Sequence, residues 1–387
     1  MSKVFCIYTA NFLPSFGGVE KFTDSISRKL VELGCKPFIV TNNIYNLPSK
    51  EVLPGGIPIY RLPCHSLING RLPLPKKNTL YGELTHEIEG RSIDYIILNT
   101  RFYPLTIQGA KHAAKIGSTA VLIDHGSSYL TMGNHYIDAV IRMYEHAITH
   151  HLKQFPIHYY GVSRASLEWL KTFHIKGKGV INNSIDADLF RKSSSNRDFR
   201  DEFGIDSRTF LVAFTGRLVR EKGVMELIEA AKRLIEKNVS FILAGDGPLK
   251  SALCSNRPSN IHLTGAIEPS DIASLLTQAD AFCLPSRSEG FSTSLLEAAA
   301  CCTTPIITKV GGTSELIPSK DFGIVLPSQS PSYICDAIEY LQQNPDRNKV
   351  MGANIGKRAR SEYSWKASAE RLITACEKAN PSGIMSF

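Results

Sequence analysis

The chain has 387 residues, enough for two or three domains of ordinary size, and its 43% hydrophobic and 21% charged residues exclude a disordered, collagenous or low-complexity protein. The formal charge of +8 is a mild excess that suits an anionic partner without naming one. Nine cysteines, an odd number with no C-x-x-C, favour neither a disulfide framework nor a zinc ribbon, so a reducing compartment fits best. Val4 to Ala10 is too short for the apolar region of a signal peptide, and no eighteen apolar residues run uninterrupted, so neither export nor membrane spanning is expected.

Short apolar runs of strand length recur in chain order: Val4–Tyr8, Phe38–Val40, Tyr95–Leu98, Ala120–Ile123 and Tyr159–Val162. A second series comprises Phe210–Phe214, Phe241–Ala244, Ala281–Leu284 and Pro305–Ile307. Runs this continuously apolar predict buried parallel strands rather than strands with one wet face. Between them lie helical periods, Val19, Phe22, Ile26, Leu30 and Leu33 in one, Leu227, Ile228, Ala231, Leu234 and Ile235 in another. Alternating strands and helices in two series predict two α/β domains with parallel sheets, whose ligands bind at the carboxyl ends of the strands. The polar stretch Arg191 to Asp198 marks the boundary, with a linker near 187–203.

The chemistry-bearing residues follow strands. Gly17 and Gly18 directly precede the first amphipathic helix, where close backbone approach and free N–H groups suit an anion; a glycine-rich turn without a ligand is the other reading. The spacing is not G-x-G-x-x-G, and the second strand closes on Thr41-Asn42-Asn43 without a carboxylate, which disfavours a dinucleotide fold. Phe214-Thr215-Gly216 leads into Arg217 and Lys222, two cations at a strand end that could clamp a diphosphate, with solvated surface charge as the alternative. After Leu284, Glu289 and Gly290 lie on a loop, Ser292 or Thr293 can cap the next helix, and Glu297 lies inside it. A carboxylate accepts from vicinal hydroxyls, so Glu297 could read a ribose and Glu289 a hexose.

Taken with Gly161-Val162-Ser163, Val180 to Asp186 before Phe190, Ala244-Gly245-Asp246-Gly247-Pro248 and Val310-Gly311-Gly312, these segments make the chain resemble, along nearly its whole length, the retaining glycosyltransferases of family four. The resemblance implies the GT-B architecture, two facing Rossmann-like domains with parallel sheets and an interdomain cleft. It implies an acceptor-side domain at 1–187, with a C-terminal helix (363–380) packing back on it, and a donor-binding domain at 188–362. By the same resemblance the Gly17-Gly18 backbone, Arg217 and Lys222 bind a nucleotide diphosphate, Glu297 the ribose and Glu289 the transferred sugar. Gly245 and Ile267 lie near the base, and Gly216, Gly290, Phe291, Ser292 and Thr293 complete the donor loops. His125, in Ile123-Asp124-His125-Gly126, stands beside the donor sugar, with a structural histidine as the alternative.

The implied reaction is front-face transfer of a UDP-hexose or UDP-N-acetylhexosamine sugar to a lipid-linked glycan, without cofactor, obligatory metal or nucleic-acid partner. The implied setting is cytoplasmic synthesis of a surface polysaccharide such as O-antigen, lipopolysaccharide or capsule, peripheral to the inner face of a membrane. A nucleotide-sugar epimerase of related architecture is the alternative, and a two-domain sugar-binding protein a third reading.

Two departures stand out: Asn183-Ser184 where the family has Asn-Gly, and Cys301-Cys302-Thr303-Thr304-Pro305 with Cys302 at the family's glycine position and an apparent extra residue. Arg71 to Lys77 mixes apolar and basic residues as a loop on an anionic membrane would, or as a plain exposed loop would. Asp186-Ala187-Asp188 reads as turn and cap chemistry rather than a metal motif, and Glu145 to His150 as a solvated helix face.

Overall fold

The computed structural model describes residues 2–15, 17–67, 70, 72–131, 134–255 and 257–381. Phe16 of the glycine loop and Arg71 of the basic stretch lie outside the described residues. The chain divides into two compact units, Met1–Asn183 with Trp365–Phe387, and Ser184–Ser364.

The first unit holds ten strands among the described residues: β1 (Val4–Tyr8), β2 (Lys36–Asn42), β3 (Lys50–Leu53), β4 (Ile57–Leu62), β5 (Cys64–Leu67), β6 (Leu72–Pro75), β7 (Tyr95–Asn99), β8 (Ala120–Asp124), β9 (Ile157–Gly161) and β10 (Gly179–Val180). Eight form one sheet in the order β10-β9-β8-β7-β1-β2-β4-β3, parallel except for the antiparallel β3–β4 pair. β7 and β8 are buried at every position, because helices cover both faces and leave no wet side. β5 and β6 make a separate antiparallel pair, so Leu72–Pro75 is a strand and not a loop.

The Gly18–Glu32 helix turns Phe22, Thr23, Ile26, Ser27 and Leu30 inward. Against it packs the Trp365–Ala379 helix, with the Phe22 and Trp365 rings edge to face at 5.7 Å. Ser368 Oγ donates to the Asn182 carbonyl, and Asn380 Nδ2 to the Thr119 carbonyl, so the segment from Trp365 to Asn380 is bonded to the rest of the first unit.

The second unit is one parallel sheet, β13-β12-β11-β14-β15-β16, from β11 (Phe210–Thr215), β12 (Val239–Ala244), β13 (Ile261–Gly265), β14 (Ala281–Leu284), β15 (Thr304–Thr308) and β16 (Ile324–Leu326). The helical period that begins at Leu227 belongs to the Val224–Arg233 helix, which stops short of Leu234 and Ile235. The stretch near 187–203 is partly helical: Ala187–Lys192, capped by the Asp186 carboxylate accepting from Leu189 N–H, and Phe199–Glu202. Arg197 there pairs with both Glu202 and Asp271, which fixes it to the second unit.

Glu145 is a correction to the sequence reading: it is 1% exposed, not on a solvated face. Its carboxylate and that of Asp124 both receive the guanidinium of Arg101, at 2.8 Å each. The Arg101 guanidinium also lies 3.8 Å from the Phe173 ring centroid. Burial pushes both carboxyls above their ordinary range, while Arg101 pulls them back down. Arg101→Leu would strand two buried carboxylates and is expected to destabilise the protein by about 3–5 kcal/mol in urea unfolding near neutral pH. Because burial raises both folded-state values, the deficit should shrink as pH falls toward the unfolded carboxyl range, where protonation removes the charges. A deficit independent of pH would contradict buried charge as its cause.

Candidate active site

In the second unit the carboxyl ends of three neighbouring strands are laced together by their backbones. Gly216 N–H donates to the Ala244 carbonyl, Gly245 N–H to the Gly265 carbonyl and Leu218 N–H to the Asp246 carbonyl. At Gly245 φ is 152°, and a Cβ there would stand 1.8 Å from the Gly216 carbonyl oxygen, so only glycine lets the loops close to this distance. Arg217 leaves this junction exposed at the surface.

A single 3-10 turn, Arg220–Lys222, then ends in left-handed Gly223 (φ 72°), whose Cβ position is 2.1 Å from the Pro285 carbonyl oxygen. That contact joins the loop after β11 to the loop after β14. Arg287 N–H donates to the Glu221 carbonyl, and Lys222 Nζ donates to Glu289 Oε1 at 2.6 Å. Ser286 Oγ, fully buried, donates to the same carboxylate oxygen at 2.7 Å. The cation and the carboxylate that the sequence places on separate loops are therefore bonded to each other, partly shielded from water.

Beyond Glu289 and Gly290, Phe291 is buried with its ring 5.5 Å from Tyr363. Ser292 caps the Thr293–Ala300 helix by accepting from Leu295 N–H, and Glu297 lies 8% exposed within it. Gly311, at φ 51°, would place a Cβ 2.6 Å from the Glu289 carbonyl oxygen, so the Val310-Gly311-Gly312 segment backs the same loop. Ile267 follows β13, half-buried. Cys301 is buried, and Cys302 takes a left-handed φ of 61°, a backbone conformation that favours glycine.

In the first unit Gly17 is the N-cap of the Gly18–Glu32 helix, and Gly18 has nothing within 4 Å of its Cβ position. A Cβ on Gly17 would meet Glu20 Oε2 at 2.3 Å, because the Glu20 carboxylate folds back to accept the backbone N–H groups of Gly17 and Glu20 itself. Burial raises that carboxyl's pKa. The helix start thus carries a carboxylate of its own where the sequence suggested free N–H groups. His125 follows β8; its ring and that of Phe22 stand edge to face with centroids 4.9 Å apart, and its Nε2 lies 3.1 Å from Asn99 Oδ1. Burial depresses its pKa to about 3, so the imidazole is neutral throughout the physiological range.

Sequence reasoning missed Ser286, Asn99 and Thr23. Asn99 carried a signal, since it is the first polar residue after the apolar run Tyr95–Leu98, at a carboxyl strand end. Among the described residues no group of three or more His, Cys, Asp or Glu has the geometry to hold a metal ion, and no helix is long and apolar enough to cross a membrane.

Gly223→Ala is expected to push apart the loops after β11 and β14, costing about 1–3 kcal/mol in thermal or urea unfolding. Gly18→Ala, into open space, should change stability by less than about 0.5 kcal/mol. Equal costs for the two would contradict close loop packing as the reason for Gly223.

Residues 195–358 match the family model of the group 1 glycosyl transferases. Over 390 aligned residues the chain is 26% identical to a component of the phosphatidylinositol N-acetylglucosaminyltransferase of Arabidopsis thaliana, covering 95% of this chain and 80% of that one. HepE of Anabaena, solved in complex with UDP-glucose, superposes with a TM-score of 0.74 at 17% identity, covering 97% and 99% of the two chains. WaaG, a glycosyltransferase involved in lipopolysaccharide biosynthesis, superposes with a TM-score of 0.67 at 14% identity over 97% and 99%. With two Rossmann-like α/β units and a group 1 glycosyl transferase match across residues 195–358, the chain has the GT-B kind of fold and is related to glycosyltransferases.

Proposed function

We propose that the protein transfers a hexose or N-acetylhexosamine from a UDP-linked donor to a lipid-linked glycan, with retention and without a metal, in surface-polysaccharide synthesis at the inner face of a membrane. The observation that carries this reading is the Lys222–Glu289 pair, held on glycine-locked strand ends beside the Ser292-capped helix that contains Glu297. A polar cluster of this kind at the carboxyl edge of a parallel sheet is where α/β domains bind ligands. The HepE complex with UDP-glucose, the WaaG role in lipopolysaccharide and the lipid in the plant relative's name support the donor, pathway and acceptor classes respectively.

In this reading Arg217, Lys222 and the Gly17-Gly18 backbone hold the diphosphate, the Glu20 carboxylate giving up the Gly17 N–H to it, while Glu297 holds the ribose and Glu289 the sugar, with His125 beside it. Gly245 and Ile267 flank the base, and Gly216, Gly290, Phe291, Ser292 and Thr293 shape the loops. The bond from the anomeric carbon to the diphosphate oxygen breaks as the acceptor oxygen attacks from the same face. The departing diphosphate takes the acceptor's proton. Arg217 and Lys222 stabilise the charge that develops on the leaving group, so catalysis is positioning and electrostatics. Lys222 reaches the phosphate by exchanging its Glu289 partner, which releases that carboxylate for sugar hydroxyls.

Incubation of UDP-, GDP- and ADP-sugars with and without a polyprenyl-linked glycan tests the reading. Acceptor-dependent UDP release that survives EDTA, giving a product with the donor's anomeric configuration, is expected. A new UDP-sugar formed without acceptor would make the protein an epimerase, and loss of activity in EDTA restored by Mg²⁺ would overturn the metal-free step.

Arg217→Ala and Lys222→Ala should each lower kcat/KM by roughly ten- to thousandfold with the fold intact. Calorimetry should show Glu297→Ala weakening UDP itself. Glu289→Ala should leave UDP binding unchanged or tighter, since it frees Lys222, while damaging transfer. Equal weakening of UDP by both glutamate variants would contradict these roles.

A further inference from the structure

The side chains behind His125 form a directed chain. Thr23 Oγ1 lies 2.8 Å from the Val19 carbonyl oxygen, one turn back in the same helix. A carbonyl can only accept, so the Thr23 hydroxyl proton is committed to it. Thr23 Oγ1 is then the acceptor for Asn99, whose Nδ2 lies 2.9 Å away, both groups being buried. That fixes the Asn99 amide with Oδ1 turned toward His125 Nε2 at 3.1 Å. A flipped amide would set the Asn99 carbonyl oxygen against the Thr23 oxygen, whose one hydrogen is already given to Val19. Asn99 Oδ1, again only an acceptor, requires hydrogen on Nε2.

We propose that Thr23 and Asn99 are positioning residues that lock His125 as the neutral tautomer protonated on Nε2. Nδ1 is left as a lone-pair acceptor, suited to a donor-sugar hydroxyl and unsuited to a sugar carboxylate. The sugar half of this statement rests on the reading of His125 given under Proposed function; the tautomer half rests on the first unit alone. The surrounding elements carry Asp124 and Arg101, paired with each other, and on the Gly18–Glu32 helix Glu20 and Lys21 in the first turn, with the Asp24–Arg28 and Lys29–Glu32 pairs beyond. Lys366, Glu370, Arg371, Glu377 and Lys378 lie on the Trp365–Ala379 helix. Burial, rather than any of these charges, keeps the ring neutral. A sugar that presents a hydroxyl donates to Nδ1, whereas a hexuronate would bring a carboxylate against a lone pair and leave both unpaired.

The test uses the full chain with 15N-labelled histidine, the His125 signal being identified by its loss in His125→Asn. The ring-nitrogen shifts should show the Nε2-protonated form with no titration between about pH 5 and 8. Thr23→Ser, which can still donate to the Val19 carbonyl, should keep that state. Thr23→Val, which cannot, should give mixed tautomers. Asn99→Asp should move the titration up into the same pH range by placing a carboxylate on Nε2. Donor turnover should favour the hexose over the corresponding hexuronate by at least about tenfold, and Thr23→Val but not Thr23→Ser should narrow that ratio.

Protonation on Nδ1, or ordinary titration in the wild type, would overturn the relay. An Nε2-protonated wild type whose sugar preference is unmoved by Thr23→Val would overturn the sugar contact. Neither result would alter dependence of turnover on Arg217 and Lys222, so failure here is distinguishable from failure of the transferase reading.

Discussion

The second unit depends on how closely its strand-end loops approach one another. A single Cβ at Gly245 would stand 1.8 Å from the Gly216 carbonyl oxygen, and one at Gly223 would stand 2.1 Å from that of Pro285. These contacts tie the loops after β11, β12 and β14 into one layer, so Lys222 and Glu289, from different βα units, meet at 2.6 Å. Without that closeness both would be solvated side chains on independent loops, where an ion pair contributes little. The glycine pattern is therefore what turns common residue types into a bonded cluster.

The first unit solves a different problem, how to hold a neutral imidazole and an ionic network side by side at the end of one strand. Asp124 turns to Arg101, and the next residue, His125, turns to Asn99 and Phe22. Arg101 also reaches Glu145, whose other oxygen accepts from Leu130 N–H. The segment from Asp124 to Leu130 is consequently anchored at both ends, with His125 near one of them. The charge is consumed within the network, so the histidine sits in a site where burial alone governs its protonation.

The strands legible in the sequence are the interior ones. β1, β2, β7, β8 and β9 in one sheet, and β11, β12, β14 and β15 in the other, are covered on both faces and read as unbroken apolar runs. The edges were invisible for the complementary reason: β3, β10, β13 and β16 each lie at the margin of a sheet, and are short or carry polar residues. β4 escaped because Pro58 and Arg61 interrupt it, although Arg61 is buried against Glu51. The helical period from Leu227 misleads at its end, since Leu234 is buried as the residue that caps the helix rather than within it. Strand-end loops announce themselves by glycine beside charge. Partners distant in sequence do not: Asn99 meets Thr23 from 76 positions away and Glu145 meets Arg101 from 44, and no local spacing encodes either.

In the proposed reaction one cation changes partners, and a crystal structure of the protein with UDP would test that exchange most directly. The expected result is phosphate oxygens within hydrogen-bond distance of Lys222 Nζ and the Arg217 guanidinium, the ribose hydroxyls on the Glu297 carboxylate, and Lys222 drawn off the Glu289 oxygen to which it donates in the structure described above. UDP bound elsewhere, with the Lys222–Glu289 bond intact, would contradict it.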